Sequence, residues 1–410
     1  VVIRVLARCS VLLLTVFATA CQPPQPKPIN YGQELPPGEL ALRTLSPDQY
    51  PDFSGAATSF NLPRLSGSID HSLAYLATPS SQHFYPYQDI THDRAIASLV
   101  ALKQLISTEL QSPANDSGHR FDSAIRNSFE IYQSIGALDP NTGNYTGDVL
   151  FTGYFTPTYD ASLTRTGPFQ YPLYKRPADL VVDPDGLHAH RKLPDGSSVT
   201  CYTRRQIEVE HAMDGNELVW LPDRFAAYII TVQGSARLRL TDGRIYEVGY
   251  NGNNGYDYIS PGRQMVADGA ITSDQLTLAG LKSYFAAHPE AMDKYLPINP
   301  REIFFTERPG GPFGSLGEPV TPFGTVATDK SIFPRALPVF LTAPLPMPGG
   351  TTIDFHGLMF DQDTGGGIRA AGRCDSYMGL GEQAGQELNV GKLYYLALKP
   401  ELVPQYFSQK

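Results

Sequence analysis

Three aspartates, Asp361, Asp363 and Asp375, flank a glycine-dense stretch near the end of the chain, "DQDTGGGIRAAGRCD", directly after the apolar run "GLMF". Asp361-Gln362-Asp363-Thr364 has the D-x-D-x-T form of a phosphoryl acceptor. That chemistry needs a long α/β continuation with a later Lys and a later acidic pair. Only 47 residues follow Asp363, and they do not read as βαβ. A calcium loop starting at Asp361 needs an oxygen ligand at its fifth position and Glu at its twelfth, where Gly365 and Gly372 stand. Cleavage of a glycosidic bond needs a carboxylic acid held neutral to protonate the leaving oxygen. A second carboxylate then allows water to enter, with a stereochemistry set by the separation of the pair. Asp363 and Asp375 are twelve residues apart across glycines, so a hairpin-like return can bring them together. The plain alternative is turn chemistry, with Asp363 capping a Gly-rich turn and Asp375 bonded towards solvent. Spacing leaves both readings open.

The elements that must position these residues are short and β-rich. Gly 37 and Pro 35 with 18% charged residues imply many turns, and 41% apolar content supports real cores. Helical spacing over 93–111 has Asp93 as its candidate N-cap, and a second helix is expected over Asp122–Ile135. "AAYIITVQGSARLRLTDGRIYEVGY" reads as a hairpin, two alternating runs around Asp242-Gly243. "SDQLTLAGLKSYFAAHPEAMDKYL" reads as helix, with Ser273 as N-cap, and "KLYYLALK" as the last strand.

The first 21 residues read as an export signal: Arg4 and Arg8, then "VLLLTVFATAC", too short to span a bilayer. Ala18-Thr19-Ala20-Cys21 favours a lipoprotein box with Cys21 as the lipidated residue, although Ala18 stands where such boxes usually have Leu. Ordinary secretory cleavage after Ala20 is the alternative. Residues 22–65 begin as a proline-rich, extended tether. The remaining length, about 390 residues, suits two or three domains of roughly 150 residues each. A net charge of −9 excludes a general nucleic-acid or acidic-membrane binder. Tyr 23 against Trp 1 offers amphipathic faces that suit sugars. Cys201 and Cys374 can pair after export or remain buried thiols. No Cys/His cluster has zinc spacing, so neither metal nor cofactor is expected.

"QDTGGGIRAAGRCDSYMGLG" resembles the three-aspartate (3D) domain at the C-terminus of the membrane-bound lytic murein transglycosylase A family. Further blocks follow the family's order: "FTGYFTP" at 151–157, "YPLYKRPADL" at 171–180, "TRRQIE" at 203–208, "VQGSARLRL" at 232–240, "GYNGNNGYDYISPGR" at 249–263, "FFTERPGGPFGSLGEPVTP" at 304–322 and "ATDKSIFPRALPVFL" at 327–341. The resemblance implies a mainly β fold. It would comprise N-terminal helices and the first barrel segment over 66–164, an inserted β-domain over 165–305, and the C-terminal part of a double-psi β-barrel over 306–410. It also implies cleavage of the MurNAc-β-1,4-GlcNAc bond of peptidoglycan without water. The C6 hydroxyl of muramic acid attacks C1 and leaves a 1,6-anhydro end. Asp375 would then be the acid and afterwards the base, with Asp363 beside it. Thr152, Tyr154, Gln233, Ser235, Asn254, Tyr258, Ser260 and Arg263 would bind the glycan. Gln233 and Ser235, one residue apart on a strand, would share a face, whereas Asn254-Gly255 suits a turn.

To act as an acid, Asp375 must have its pKa raised by burial or by a neighbouring charge, which Asp363 could supply. Arg373 shares the face of Asp375 on a strand and would oppose this unless it leans away. Ala236, Thr231, Gly367 and Leu337 depart from the family pattern; none removes the two central aspartates. The resemblance also implies a monomer on the periplasmic face of a Gram-negative-type envelope, anchored to the outer membrane by lipid, with glycan strands as partner and no nucleic acid. A hydrolase using two aspartates and water, or a non-catalytic glycan-binding barrel, is the alternative.

Overall fold

The computed structural model describes residues 26–113, 115–182, 188–346, 351–365, 368–381 and 389–407. The expected signal segment with Cys21, and Gly367, lie outside the described residues. Among the described residues six strands close into a barrel: Val149–Thr156, Thr325–Ala327, Pro338–Pro346, Thr352–Asp363, Arg373–Leu380 and Asn389–Leu398. Closure comes from Asn389–Leu398, which pairs with Pro338–Pro346 on one side and with Val149–Thr156 on the other. Two pairings are parallel, Thr325–Ala327 with Thr352–Asp363 and Arg373–Leu380 with Val149–Thr156. A parallel pair needs a long crossover between its strands. The second of these brings residues more than 200 positions apart into register.

The Thr352–Asp363 strand shows why the barrel forms here. Its first half alternates exposed and buried residues, and from Gly357 to Gln362 every residue is buried. That unbroken run is covered on both faces. Gln362 points out of the barrel and donates to Ser68 O (2.6 Å) and Ser72 Oγ (2.9 Å) on the Leu65–Leu76 helix. Asp361, on the opposite face, is fully buried. Val149, Phe151, Val339, Leu341, Met359 and Tyr395 in the same core are all 0% exposed. Truncating Leu341 to Ala would cost about 2–5 kcal/mol.

The N-terminal part packs on this barrel. Helix His92–Gln111 is capped by Thr91, whose side chain accepts from Arg94 N at 3.1 Å, rather than by Asp93. Its Arg94 is buried and donates to Leu398 O, Asp89 and Glu130. The helix expected over 122–135 runs Ser117–Ser128 instead. The chain then becomes the strand Phe129–Ser134, because "FEIYQS" places aromatic and branched residues in a barrel-flanking position paired to Asn389–Leu398. The tether expected to reach residue 65 is absorbed much earlier. Leu42–Thr44 pairs with Phe129–Ser134, and Phe53 is fully buried.

A second unit has its own sheet, in the order Ile303–Glu307, Ile245–Asn253, Ser235–Leu240 and Thr158–Ala161. Thr158–Ala161 already pairs parallel to Ser235–Leu240, so this sheet starts before residue 165. Leu173, Val219, Ile230, Leu238, Val248 and Phe305 form its core. The unit is not purely β. The first arm of the expected hairpin is a helix, Arg224–Gln233, N-capped by Asp223 (Ala226 N to Oδ1, 3.0 Å) and closed by Gly234 at φ +83°. Only Ser235–Leu240 and Ile245–Asn253 form the hairpin around Asp242-Gly243. The later helix Leu278–Ala287 is capped by Thr277, not by Ser273, which lies in a separate short turn.

Candidate active site

A cleft lies between the barrel mouth and the second unit. Tyr154, Asp363 and Asp375 line it from the barrel, Gln233 and Ser235 from the second unit, and Phe313 from the segment joining them. Register brings the aspartates here. Asp375 pairs with Thr152 on one neighbouring strand and with Ala327 on the other. Ala327 in turn pairs with Asp363 across an irregularity in the parallel ladder.

Asp375 is partly buried, its side chain 18% exposed. Thr152 Oγ1 donates to Asp375 Oδ1, and Arg373 Nη2 lies 3.3 Å from the same oxygen. Burial pushes the carboxyl above the usual carboxylate range; Arg373 and the Thr152 hydroxyl pull the other way without cancelling it. Two expectations are corrected. Arg373 does not lean away but contacts Asp375, because residues two apart on a strand share a face. Asp363 is not a cause of the rise, which comes from desolvation.

Asp363 is held by three donors: Tyr154 OH to Oδ2 at 2.8 Å, and the Ser315 and Thr364 backbone N–H groups to Oδ1 at 2.8 Å each. Burial raises its pKa, and these donors and the Lys330 charge oppose the rise. The close approach of the 308–322 segment requires Gly314. A Cβ there would meet Gln362 O at 2.8 Å and Asp363 Cγ at 3.3 Å. Tyr154 packs its ring 5.1 Å from that of Tyr377, and burial, then Asp363, raises its hydroxyl well above the ordinary range. It therefore stays a neutral donor.

Asp361, the third aspartate, has another role. It is 0% exposed, pairs with buried Lys330, and accepts from Thr328 Oγ1 (2.7 Å) and Tyr395 OH (2.6 Å). This cluster fastens the barrel and does not line the cleft.

The other expected glycan contacts divide. Tyr154, Gln233 and Ser235 line the cleft. Gln233 and Ser235 do so as the end of a helix and the start of a strand, joined through Gly234, not as two strand positions. Thr152 spends its hydroxyl on Asp375. Asn254, Tyr258, Ser260 and Arg263 are not among the residues lining this cleft. Asn254 is buried, donates to Tyr202 O (2.9 Å) and Pro300 O (2.8 Å), and accepts from Glu302 N (2.9 Å). Ser260 caps the Pro261–Ala267 helix, accepting from Arg263 N at 3.3 Å. Arg263 is exposed, and Tyr258 packs beside Tyr228. Phe313 and the Ser315 backbone were missed. Their block, "RPGGPFGSLGEPVTP", matches the family pattern, but a backbone donor leaves no mark in a residue type. Cys201 and Cys374 are buried and free. Among the described residues no group of three His, Cys, Asp or Glu could hold a metal ion, and no helix is long and apolar enough to cross a membrane.

Comparison with known proteins bears on this geometry. A family model described as the MltA specific insert domain matches residues 150–306, and one described as the 3D domain matches residues 324–397. The membrane-bound lytic murein transglycosylase A of Vibrio cholerae is 31% identical over 276 residues, 65% of this chain and 70% of that protein. The Escherichia coli protein of the same name is 29% identical over 269 residues, 63% and 67% of the two chains. Among solved structures, a membrane-bound lytic murein transglycosylase from Agrobacterium tumefaciens aligns with TM-score 0.68 at 23% identity, covering 89% of this chain and 99% of that one. Escherichia coli MltA with bound chitohexaose aligns with TM-score 0.62 at 22% identity, covering 92% and 100%. These structural likenesses speak for the fold, and the sequence matches for descent. The chain belongs to the membrane-bound lytic murein transglycosylase A family.

Proposed function

We propose that this chain cleaves the MurNAc-β-1,4-GlcNAc bond of peptidoglycan without water, with Asp375 as the acid that becomes the base. The proton of Asp375 passes to the glycosidic oxygen as the C1–O bond breaks. Positive charge develops at C1 and the ring oxygen. The C6 hydroxyl of the same muramic acid then attacks C1, its proton returns to Asp375, and a 1,6-anhydro end remains. The enzyme regains its starting protonation state without a second titrating group.

The observation that supports this reading is the setting of Asp375. It faces the cleft, burial raises its pKa, and Arg373 opposes that rise without cancelling it. Asp363, which accepts from three donors, is suited to remain an acceptor whose negative charge favours the oxocarbenium-like state. Gln233 and Ser235 offer hydrogen bonds to the sugar from the opposite wall, and the ring of Phe313 an apolar face. The mixed parallel and antiparallel pairing of the barrel is compatible with a double-psi path, with the second unit as an insertion between its first strand and the rest. By the same reading the mature protein is a monomer tethered through lipid on Cys21 to the periplasmic face of the outer membrane. Digesting purified sacculi with wild type and Asp375→Asn, and identifying the new ends by mass spectrometry, tests the proposal. Anhydro ends from wild type and none from the variant are expected. Reducing ends from wild type would replace it with hydrolysis.

A further inference from the structure

Both described contacts of Asp375 fall on one oxygen. Thr152 donates to Oδ1 from the neighbouring strand in direct register, and Arg373 reaches Oδ1 at 3.3 Å from two residues earlier on the same strand. No described residue hydrogen-bonds to Oδ2. In a protonated carboxyl, the carbonyl oxygen is the better acceptor and the hydroxyl oxygen carries the donor. Two donors on Oδ1 therefore assign it as the carbonyl oxygen. We propose that Thr152 and Arg373 act as positioning residues that direct the proton of Asp375 onto Oδ2, towards the cleft, and that Arg373 sets the alkaline limit of activity. The proposal rests on Asp375 being the general acid.

Other titratable groups near Asp375 cannot substitute for Arg373. Tyr154, on the Val149–Thr156 strand, stays neutral and gives its hydroxyl to Asp363. Asp363, from Thr352–Asp363, carries the same sign as Asp375. Cys374 points away into the core, where burial pushes its thiol up. Lys330 is engaged with Asp361, and Ala327, on the remaining neighbouring strand, has no titratable group. Arg373 is thus the one cation among the described groups in contact with the acid. It is 21% exposed, and its Nε has no hydrogen-bond partner among the described residues.

The test is the pH profile of fragment release from purified sacculi by the full chain. Wild type, Arg373→Gln, Arg373→Lys, Thr152→Val and Asp375→Asn are compared, with thermal melts as the folding control. Loss of the positive charge makes Asp375 hold its proton to higher pH. On the alkaline limb Arg373→Gln should therefore retain several-fold more of its own maximal rate than wild type retains of its own. Arg373→Lys should bring the limb back towards wild type. Thr152→Val should lower the rate across the profile, because the carboxyl is free to turn. If Arg373→Gln misfolds, Arg373→Met, which keeps the apolar stem, serves instead. An alkaline limb that coincides with wild type in a folded Arg373 variant, while Asp375→Asn is inactive, overturns this inference and leaves the general-acid reading standing. Wild-type rates in folded Asp375→Asn overturn both.

Discussion

In the second unit Arg204, 1% exposed on its side chain, lies 2.9 Å from Glu302 and 2.7 Å from Glu208. It also donates to Thr231 at 2.8 Å and covers the ring of Tyr228. At the barrel mouth Asp363 and Asp375 are desolvated too, yet they have hydroxyls, backbone N–H groups and one off-centre arginine in place of an enclosing cation. Asp361, two residues before Asp363, repeats the first pattern with Lys330. Where a buried charge is enclosed by its opposite, the cluster fastens elements together. At Asp375, where desolvation beside the cleft outweighs one off-centre arginine and one hydroxyl, the carboxyl is poised to change protonation state, which is what acid catalysis needs, whereas the three donors on Asp363 favour its ionised form. The contrast separates the three aspartates that the sequence presents as equals.

The largest effect should come from breaking the uncompensated site. Asp375→Asn should lower the rate of sacculus digestion by roughly 10²–10⁴-fold without lowering Tm at neutral pH. The sign follows from linkage. A carboxyl whose folded pKa is raised favours the fold while protonated, and that contribution is lost as pH rises through the folded value. Asn stays neutral at every pH and so carries none of that loss.

The fastening clusters should behave in the opposite way. Arg204→Met and Asp361→Asn each strand a buried charge and should cost about 3–5 kcal/mol in urea unfolding, with the rate per folded molecule nearly preserved. For Arg204→Met the deficit should shrink as pH falls. Burial already raises the pKa of Glu302, and without Arg204 it can take up a proton in place of an ion pair. A large loss of rate with little loss of stability in either variant would erase the distinction. A smaller effect is expected from Tyr154→Phe, which removes one donor from Asp363 and should slow turnover about tenfold. Smallest of all, Gln233→Ala should weaken glycan binding by about two- to tenfold, seen in the concentration dependence of the rate and not in its maximum.

Much of the site was legible in residue order. The spacing of Asp363 and Asp375 suggested a hairpin-like return, but Thr325–Ala327 lies between their strands and both aspartates pair with Ala327 instead of with each other; the family-like blocks pointed to Tyr154, Gln233 and Ser235, which line the cleft. What failed did so for local reasons. "AAYIITVQ" is rich in branched and aromatic residues and reads as strand, but Asp223 before it and Gly234 after it are the capping signals that make it a helix. Thr152 looked like a sugar ligand because a hydroxyl is visible in sequence and its cross-strand partner is not. Arg373 was expected to lean away from Asp375 or to mark a non-extended backbone. The structure keeps the two in contact and lets desolvation outweigh the pair, a balance of magnitudes that residue type does not record. Ser315 acts through its backbone, which no residue name reveals.

If Asp375 passes a proton to the leaving sugar while muramic acid closes on itself, water takes no part. Digestion of sacculi in heavy-oxygen water, followed by the mass of the new muramic ends, decides this. Ends lighter by one water than a hydrolysed end and free of the heavy isotope are expected; isotope at C1 would mean that water attacked there and that muramic acid did not close on itself.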